Sequence, residues 1–274
     1  MKQLKLLMLS ALMLLMGVSF TSCLDSDNDY VQTISAYGKL YSSYGSYYFR
    51  LNNGYTITPS YASVAAIEAN GTKLSTFDGQ LVYFLYTAEG LVPNETTKTL
   101  DGVTLQGLIT LDNTVQVVGG KEEDALPQDS IATSPIITME YNQSKPEFWD
   151  ATTLLLPVQF SVKKAENYVT LVYYTDEDAD NGDILRLHLR LNAKGKSMST
   201  NYTSYEYASE GGYLGVFLRA YNLDDVFRIY MSKKGIGAYP TKVQIVTQEN
   251  SYSTEMTEAQ EKVYTVEYKP ETSN

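Results

Sequence analysis

The chain has 274 residues, 43% hydrophobic and 19% charged, with 32 acids against 21 bases. This supports one large or two ordinary packed domains and excludes a disordered polyelectrolyte. One histidine and one cysteine, set against 24 tyrosines, exclude a histidine-rich metal centre, a disulfide framework and a structural zinc site. In chain order, Lys2 and Lys5 lead into the uncharged apolar run Leu6 to Phe20. That run is shorter than the roughly 20 residues a membrane span needs. It fits the hydrophobic stretch of a signal peptide over residues 1–22.

Cys23, the only cysteine, follows directly behind Phe20-Thr21-Ser22. A lone cysteine in that position resembles a bacterial lipoprotein lipobox. The resemblance implies cleavage before Cys23 and acylation there, so that lipid holds the mature chain on a membrane. Two or more acyl chains anchor stably where one is marginal. The mature chain would carry 19 bases and 32 acids, net −13. Residues 23–30 form an acidic tether containing Asp25, Asp27 and Asp29, which keeps the folded part off an anionic surface. The tract also resembles the export signal of some Gram-negative surface lipoproteins.

Residues 31–120 read as about five strands with one short helix at 62–69. Lys39 to Leu51 is taken as one aromatic-rich strand, with Tyr47, Phe49 and Leu51 alternating against Tyr48 and Arg50. Asn52-Asn53-Gly54 then predicts a type I′ hairpin, and Tyr55 to Thr58 returns as the partner strand before Pro59. Leu81 to Thr87 is a further strand, and Val103 to Val118 is one long enough to bend. Gly119-Gly120 and the polar run Lys121 to Ser130 place the domain boundary, with a linker over 121–134. Beyond it, over 135–270, strands are predicted at 136–141, 154–163, 168–175, 184–191, 213–221, 226–231, 242–247 and 262–268. Such spacing suits an antiparallel sandwich or barrel. Leu185, Leu187, Leu189 and Leu191 alternate with Arg186, His188 and Arg190, which predicts a strand buried on one side only.

The ordered set of Cys23, the acidic tract, Tyr47-Tyr48-Phe49-Arg50-Leu51-Asn52-Asn53-Gly54, Gly79-Gln80-Leu81-Val82, Glu122-Glu123-Asp124, Leu185 to Ala193 and Val266-Glu267-Tyr268-Lys269-Pro270 resembles the NigD-like lipoproteins. The resemblance implies an all-β chain, with an N-terminal OB-like barrel followed by a C-terminal antiparallel β-sandwich. It implies no catalytic residues. It hints at a bacteriocin-associated or immunity-like accessory role at the envelope.

A Ser-His-Asp triad would need His188, which the pattern places on a polar strand face between two arginines that compete for any carboxylate. The run Asp176 to Asp183 offers Asp176, Asp178 and Asp180 as calcium ligands. Counted from Asp176, however, Asn181 falls where an EF-hand needs glycine and Leu187 where it needs glutamate, so a solvated hairpin loop explains the run. No spacing selects a carboxylate pair for glycoside hydrolysis, and no glycine-rich loop opens a helix. The negative charge opposes nucleic acid, whose affinity depends on neutralising phosphates.

Tyr37, Tyr41, Tyr44, Tyr47, Tyr48, Tyr55 and Tyr61 crowd into 25 residues. Strand propensity and core packing account for much of this. Tyr41, Tyr44, Tyr48 and Arg50 are the expected exposed patch, since tyrosine joins an apolar face to a polar tip. Asp129-Ser130-Ile131 resembles the O-glycosylation sites of some Gram-negative anaerobes, with Ser130 as acceptor. The expectation is therefore a non-catalytic, cofactor-free, monomeric lipoprotein of the outer membrane. It would face the periplasm or the cell surface and bind a protein or glycan partner but no nucleic acid. A subunit of a surface fibre is the alternative, and an envelope hydrolase is less favoured.

Overall fold

The computed structural model describes residues 32–120, 132–141, 143–162, 167–176, 182–193, 213–235, 237–253 and 255–268. Cys23, the signal and tether segments, Ser130, Asp178 and Asp180 lie outside the described residues. The chain divides into two compact units that meet at Asp112 and Asn113.

The first unit contains β1 (Thr33–Ser43), β2 (Ser46–Arg50), β3 (Thr56–Pro59), β4 (Leu81–Thr87) and β5 (Thr99–Thr110). They close a barrel in the order β1-β2-β3-β5-β4, with β4 paired back onto β1. Helix α1 (Tyr61–Ala69) follows β3. Ser60 starts it, its hydroxyl oxygen accepting from the Ser63 amide at 3.3 Å. The barrel core is set by alternation: Ile34, Ala36 and Leu40 of β1, Phe49 of β2, Ile57 of β3 and Phe84 of β4 are all buried. Val64 and Ile67 of α1 pack against this core.

Two local readings change. The single strand expected over Lys39 to Leu51 is a tight hairpin that reverses at Tyr44-Gly45, both with positive φ (50° and 83°). Tyrosine rarely adopts that conformation, so the turn left only Gly45 as its mark. At Asn52-Asn53-Gly54 the chain also reverses, but among the turn residues only Gly54 has positive φ (82°), so the turn is not type I′. The Asn53 side chain instead accepts from the Tyr55 amide at 3.0 Å.

The second unit holds β6 (Asp112–Val118), β7 (Glu147–Phe148), β8 (Thr153–Val162), β9 (Asn167–Tyr174), β10 (Ile184–Ala193), β11 (Tyr213–Asn222), β12 (Lys242–Glu249) and β13 (Gln260–Glu267). They form one nearly closed sheet in the order β13-β12-β10-β9-β6-β11-β8-β7. Pairs β10–β12 and β6–β9 are parallel, while β9–β10, β8–β11, β12–β13 and β7–β8 are antiparallel. The long strand expected over Val103 to Val118 breaks at Leu111, and its second half pairs with β9. The unit division therefore precedes the polar linker. Asp112 helps to end the barrel strand, because its side chain accepts from the Leu81 amide at 3.1 Å.

The segment 226–231, read as a strand, lies within helix α2 (Asp224–Lys234). Val226, Phe227 and Tyr230 bury one face, with Asp224 and Asp225 in the first turn and Lys233 and Lys234 in the last. Those charges suit the helix dipole and outweigh the strand preference of valine, isoleucine and aromatic side chains. Residues 136–141 contribute only isolated bridges. Among the described residues no helix is long and apolar enough to cross a membrane.

Candidate functional site

Burial of Ile34, Ala36, Gly38 and Leu40 turns Ser35, Tyr37, Lys39 and Tyr41 of β1 to the outside of the barrel. Strand register then decides what stands beside them. Tyr41 lies opposite Tyr48, and Lys39 lies opposite Arg50 on β2. On the other side Tyr37 lies opposite Tyr83 of β4, which in turn lies opposite Ile109 of β5. The result is one outer face drawn from four strands.

The rings pair across the strands. Tyr41 and Tyr48 stack with centroids 5.5 Å apart at 25°, and Tyr37 meets Tyr83 at 5.2 Å and 50°. The Arg50 guanidinium carbon stands 5.8 Å from the Tyr41 ring centroid, within cation–π reach. Tyr44, at the tip of the β1–β2 hairpin, is fully exposed. Partial burial and the neighbouring Tyr83 hold the Tyr37 hydroxyl above its ordinary pKa, so it remains a neutral donor and acceptor. The outward positions of β1, β2 and β4 carry no carboxylate. Asp78 stands at the rim, where its side chain accepts from the Ser42 amide at 2.8 Å.

Tyr41, Tyr48 and Arg50 are thus brought together, with Tyr44 beside them at the turn. Tyr37 and Lys39 are additions that the period-two alternation of β1 could have supplied. Tyr83 depends on a pairing across more than forty residues, which sequence periodicity does not report. Of the other local tyrosines, Tyr55 is buried and donates to Glu95, Tyr47 donates to Glu68 at 3.4 Å, and Tyr61 is exposed on α1.

His188 needs correction. It is only 1% exposed, and Arg190 and Asn192 beside it are buried too. The strand β10 sits inside the sheet and is covered on both faces at residues 188–192. Val172 and Val246 flank His188 in register, and Tyr174 meets its ring edge-on at 5.0 Å. The Arg190 Nη2 lies 3.0 Å from His188 Nδ1. Arginine can only donate, so Nδ1 is the acceptor of this contact. Burial holds Arg190 below its usual pKa, opposed by the charge of Glu261. Asp176 is exposed and pairs with Lys233 at 3.2 Å. Among the described residues no group of three potential metal ligands converges.

No family model matches the chain, and no curated protein sequence matches it. Solved structures do. A candidate lipoprotein from Bacteroides fragilis NCTC 9343 is 22% identical, with TM-score 0.64 over 88% of this chain and 100% of its own. A protein of unknown function from Bacteroides vulgatus ATCC 8482 is 13% identical, with TM-score 0.50 over 88% and 93%. A NigD-like immunity protein from Bacteroides caccae ATCC 43185 is 14% identical, with TM-score 0.48 over 86% and 94%. At these identities the likeness is one of fold, and the chain shares the overall architecture of the Bacteroides fragilis protein across most of its length.

Proposed function

We propose that this chain is a non-catalytic, lipid-anchored envelope protein that recognises a protein or glycan partner through the outer face of its N-terminal barrel. The observation that carries the reading is the outward-facing, laterally paired tyrosine face around Arg50. Tyrosine and arginine are enriched where proteins meet partners, because each combines a flat apolar surface with directed donors. Cys23 behind its apolar leader supports the anchor, as does a fold relative named a candidate lipoprotein. Placement in the outer membrane and an accessory role rest on the resemblance of the sequence motifs to NigD-like lipoproteins. The buried, arginine-paired His188 supports the non-catalytic reading.

The test is capture from envelope extract by the full mature chain, wild type against a variant with Tyr41, Tyr44, Tyr48 and Arg50 all replaced by serine. Loss of the captured partner with an intact fold supports the reading. Unchanged capture at unchanged stability refutes it.

A further inference from the structure

We propose that the tyrosine face takes an acidic oligosaccharide, an inference that rests on the recognition function above. Its first support is charge. The mature chain carries 19 bases and 32 acids. Yet the outward positions of β1, β2 and β4 carry no carboxylate. Arg50 is exposed, and among the described residues no carboxylate bridges it; its guanidinium carbon stands 5.8 Å from the Tyr41 ring centroid. An uncompensated cation on an acidic protein is complementary to an anionic ligand.

The second support is layout. Arg50 occupies the step of the β1–β2 ladder that has the Tyr41–Tyr48 pair on one side and, across β1, the Tyr37–Tyr83 pair on the other. Along β1, Tyr37 and Tyr41 are four residues apart, or ~13 Å at strand rise. Ring faces at both ends and a cation between them match a chain of sugar rings whose acid group falls in the middle. Sugar C–H faces lie on the tyrosine rings, ring hydroxyls meet the phenol tips, and a carboxylate, sulfate or phosphate pairs with Arg50.

The third support is size. Tyr37 is 37% exposed and Tyr41, Tyr48 and Tyr83 are half-buried. With ~200 Å² per side chain, the four rings together offer at most roughly 300 Å². A stable protein interface needs about 800 Å² from each partner. The face therefore suits a narrow ligand better than a protein surface.

The test is a binding screen of the full mature chain against uronate-, sulfate- and phosphate-bearing oligosaccharides, each paired with its neutral counterpart. Uronates are paired with their methyl esters. Titration calorimetry follows on the best binder. The expected result is binding of an acidic member at least tenfold tighter than its neutral counterpart and weakened by salt. Arg50→Ala should weaken it at least tenfold and Arg50→Lys less. Tyr41→Ala with Tyr48→Ala should also abolish it while the melting curve stays cooperative. Failure of every acidic oligosaccharide to bind, equal binding of the neutral form, or indifference to Arg50→Ala overturns the inference. If those failures coincide with capture of a protein that still depends on the tyrosines, recognition by this face stands and only the ligand class falls. If capture is also indifferent to them, both fall.

Discussion

Phe49 and Tyr48 are neighbours on β2, and the assignment of faces requires opposite consequences from losing them. Phe49 is fully buried, stacked on Phe84 with centroids 3.9 Å apart and planes 12° apart. Phe49→Ala removes that contact and leaves a cavity in a closed barrel that relaxes poorly, at a cost of about 3–5 kcal/mol. For a unit of this size each kcal/mol lowers the melting temperature by roughly 4–8 °C, so a loss exceeding about 12 °C is expected. Tyr48 gives up only a half-exposed stack on Tyr41, a cross-strand pair of about 0.5–1 kcal/mol. Tyr48→Ser should therefore shift the barrel by a few degrees. The assay is a urea titration read by hydrogen exchange of barrel peptides. Fluorescence of Trp149, the single tryptophan, reports separately on the second unit. Equal costs for the two substitutions would refute the assignment of Tyr48 to the outer face.

Three further outcomes follow from single side chains. Burial raises the pKa of Glu249 above its ordinary 4.5 despite its bonds to Tyr264 and Lys262. Its ionised form thus opposes folding: stability falls as pH rises from 4.5 through the raised value, and Glu249→Gln should flatten that decline in melting temperature. Tyr86, in the barrel core, is pushed by burial from 10.0 up to about 12, so its ionisation removes about 3 kcal/mol as pH climbs through that interval. Tyr86→Phe should remove this part of the alkaline transition, seen by circular dichroism between pH 9 and 12. Tyr44 holds a positive φ of 50°, so Tyr44→Gly relieves backbone strain and should raise stability by up to about 1 kcal/mol in denaturant titration. The same substitution removes an exposed ring from the proposed binding face, and a simultaneous loss of partner capture would mark that strain as retained for recognition.

The barrel was legible where periodicity had a single meaning. Leu81 to Thr87 is a strand with the bounds expected, and the helix read at 62–69 is α1. The inward leucines of β10 are buried as the alternation requires. Legibility ended where tertiary partners decide. Whether Arg186, His188 and Arg190 face water depends on what covers the second side of β10, and alternation along one strand cannot state that. The strand over Asp112 to Val118 is a strand on either reading, but only pairing with β9 assigns it to the second unit. In α2 the cluster Val226-Phe227-Arg228-Ile229-Tyr230 reads as β by composition. The acidic start and basic end were the contrary signal, and they were visible in the sequence. The candidate face shows the same division. Tyr41, Tyr48 and Arg50 share a face by local alternation and one hairpin, whereas Tyr83 arrives by closure of the barrel.

On the function proposed, the outer barrel face meets the physiological partner. A photo-crosslinking residue placed at Tyr44 in intact cells tests this most directly, with Tyr252, an 81% exposed tyrosine of the second unit, as the control position. A discrete adduct, protein or glycan, is expected from position 44 and none from position 252. Adducts from 252 alone, or identical patterns from both positions, would contradict it.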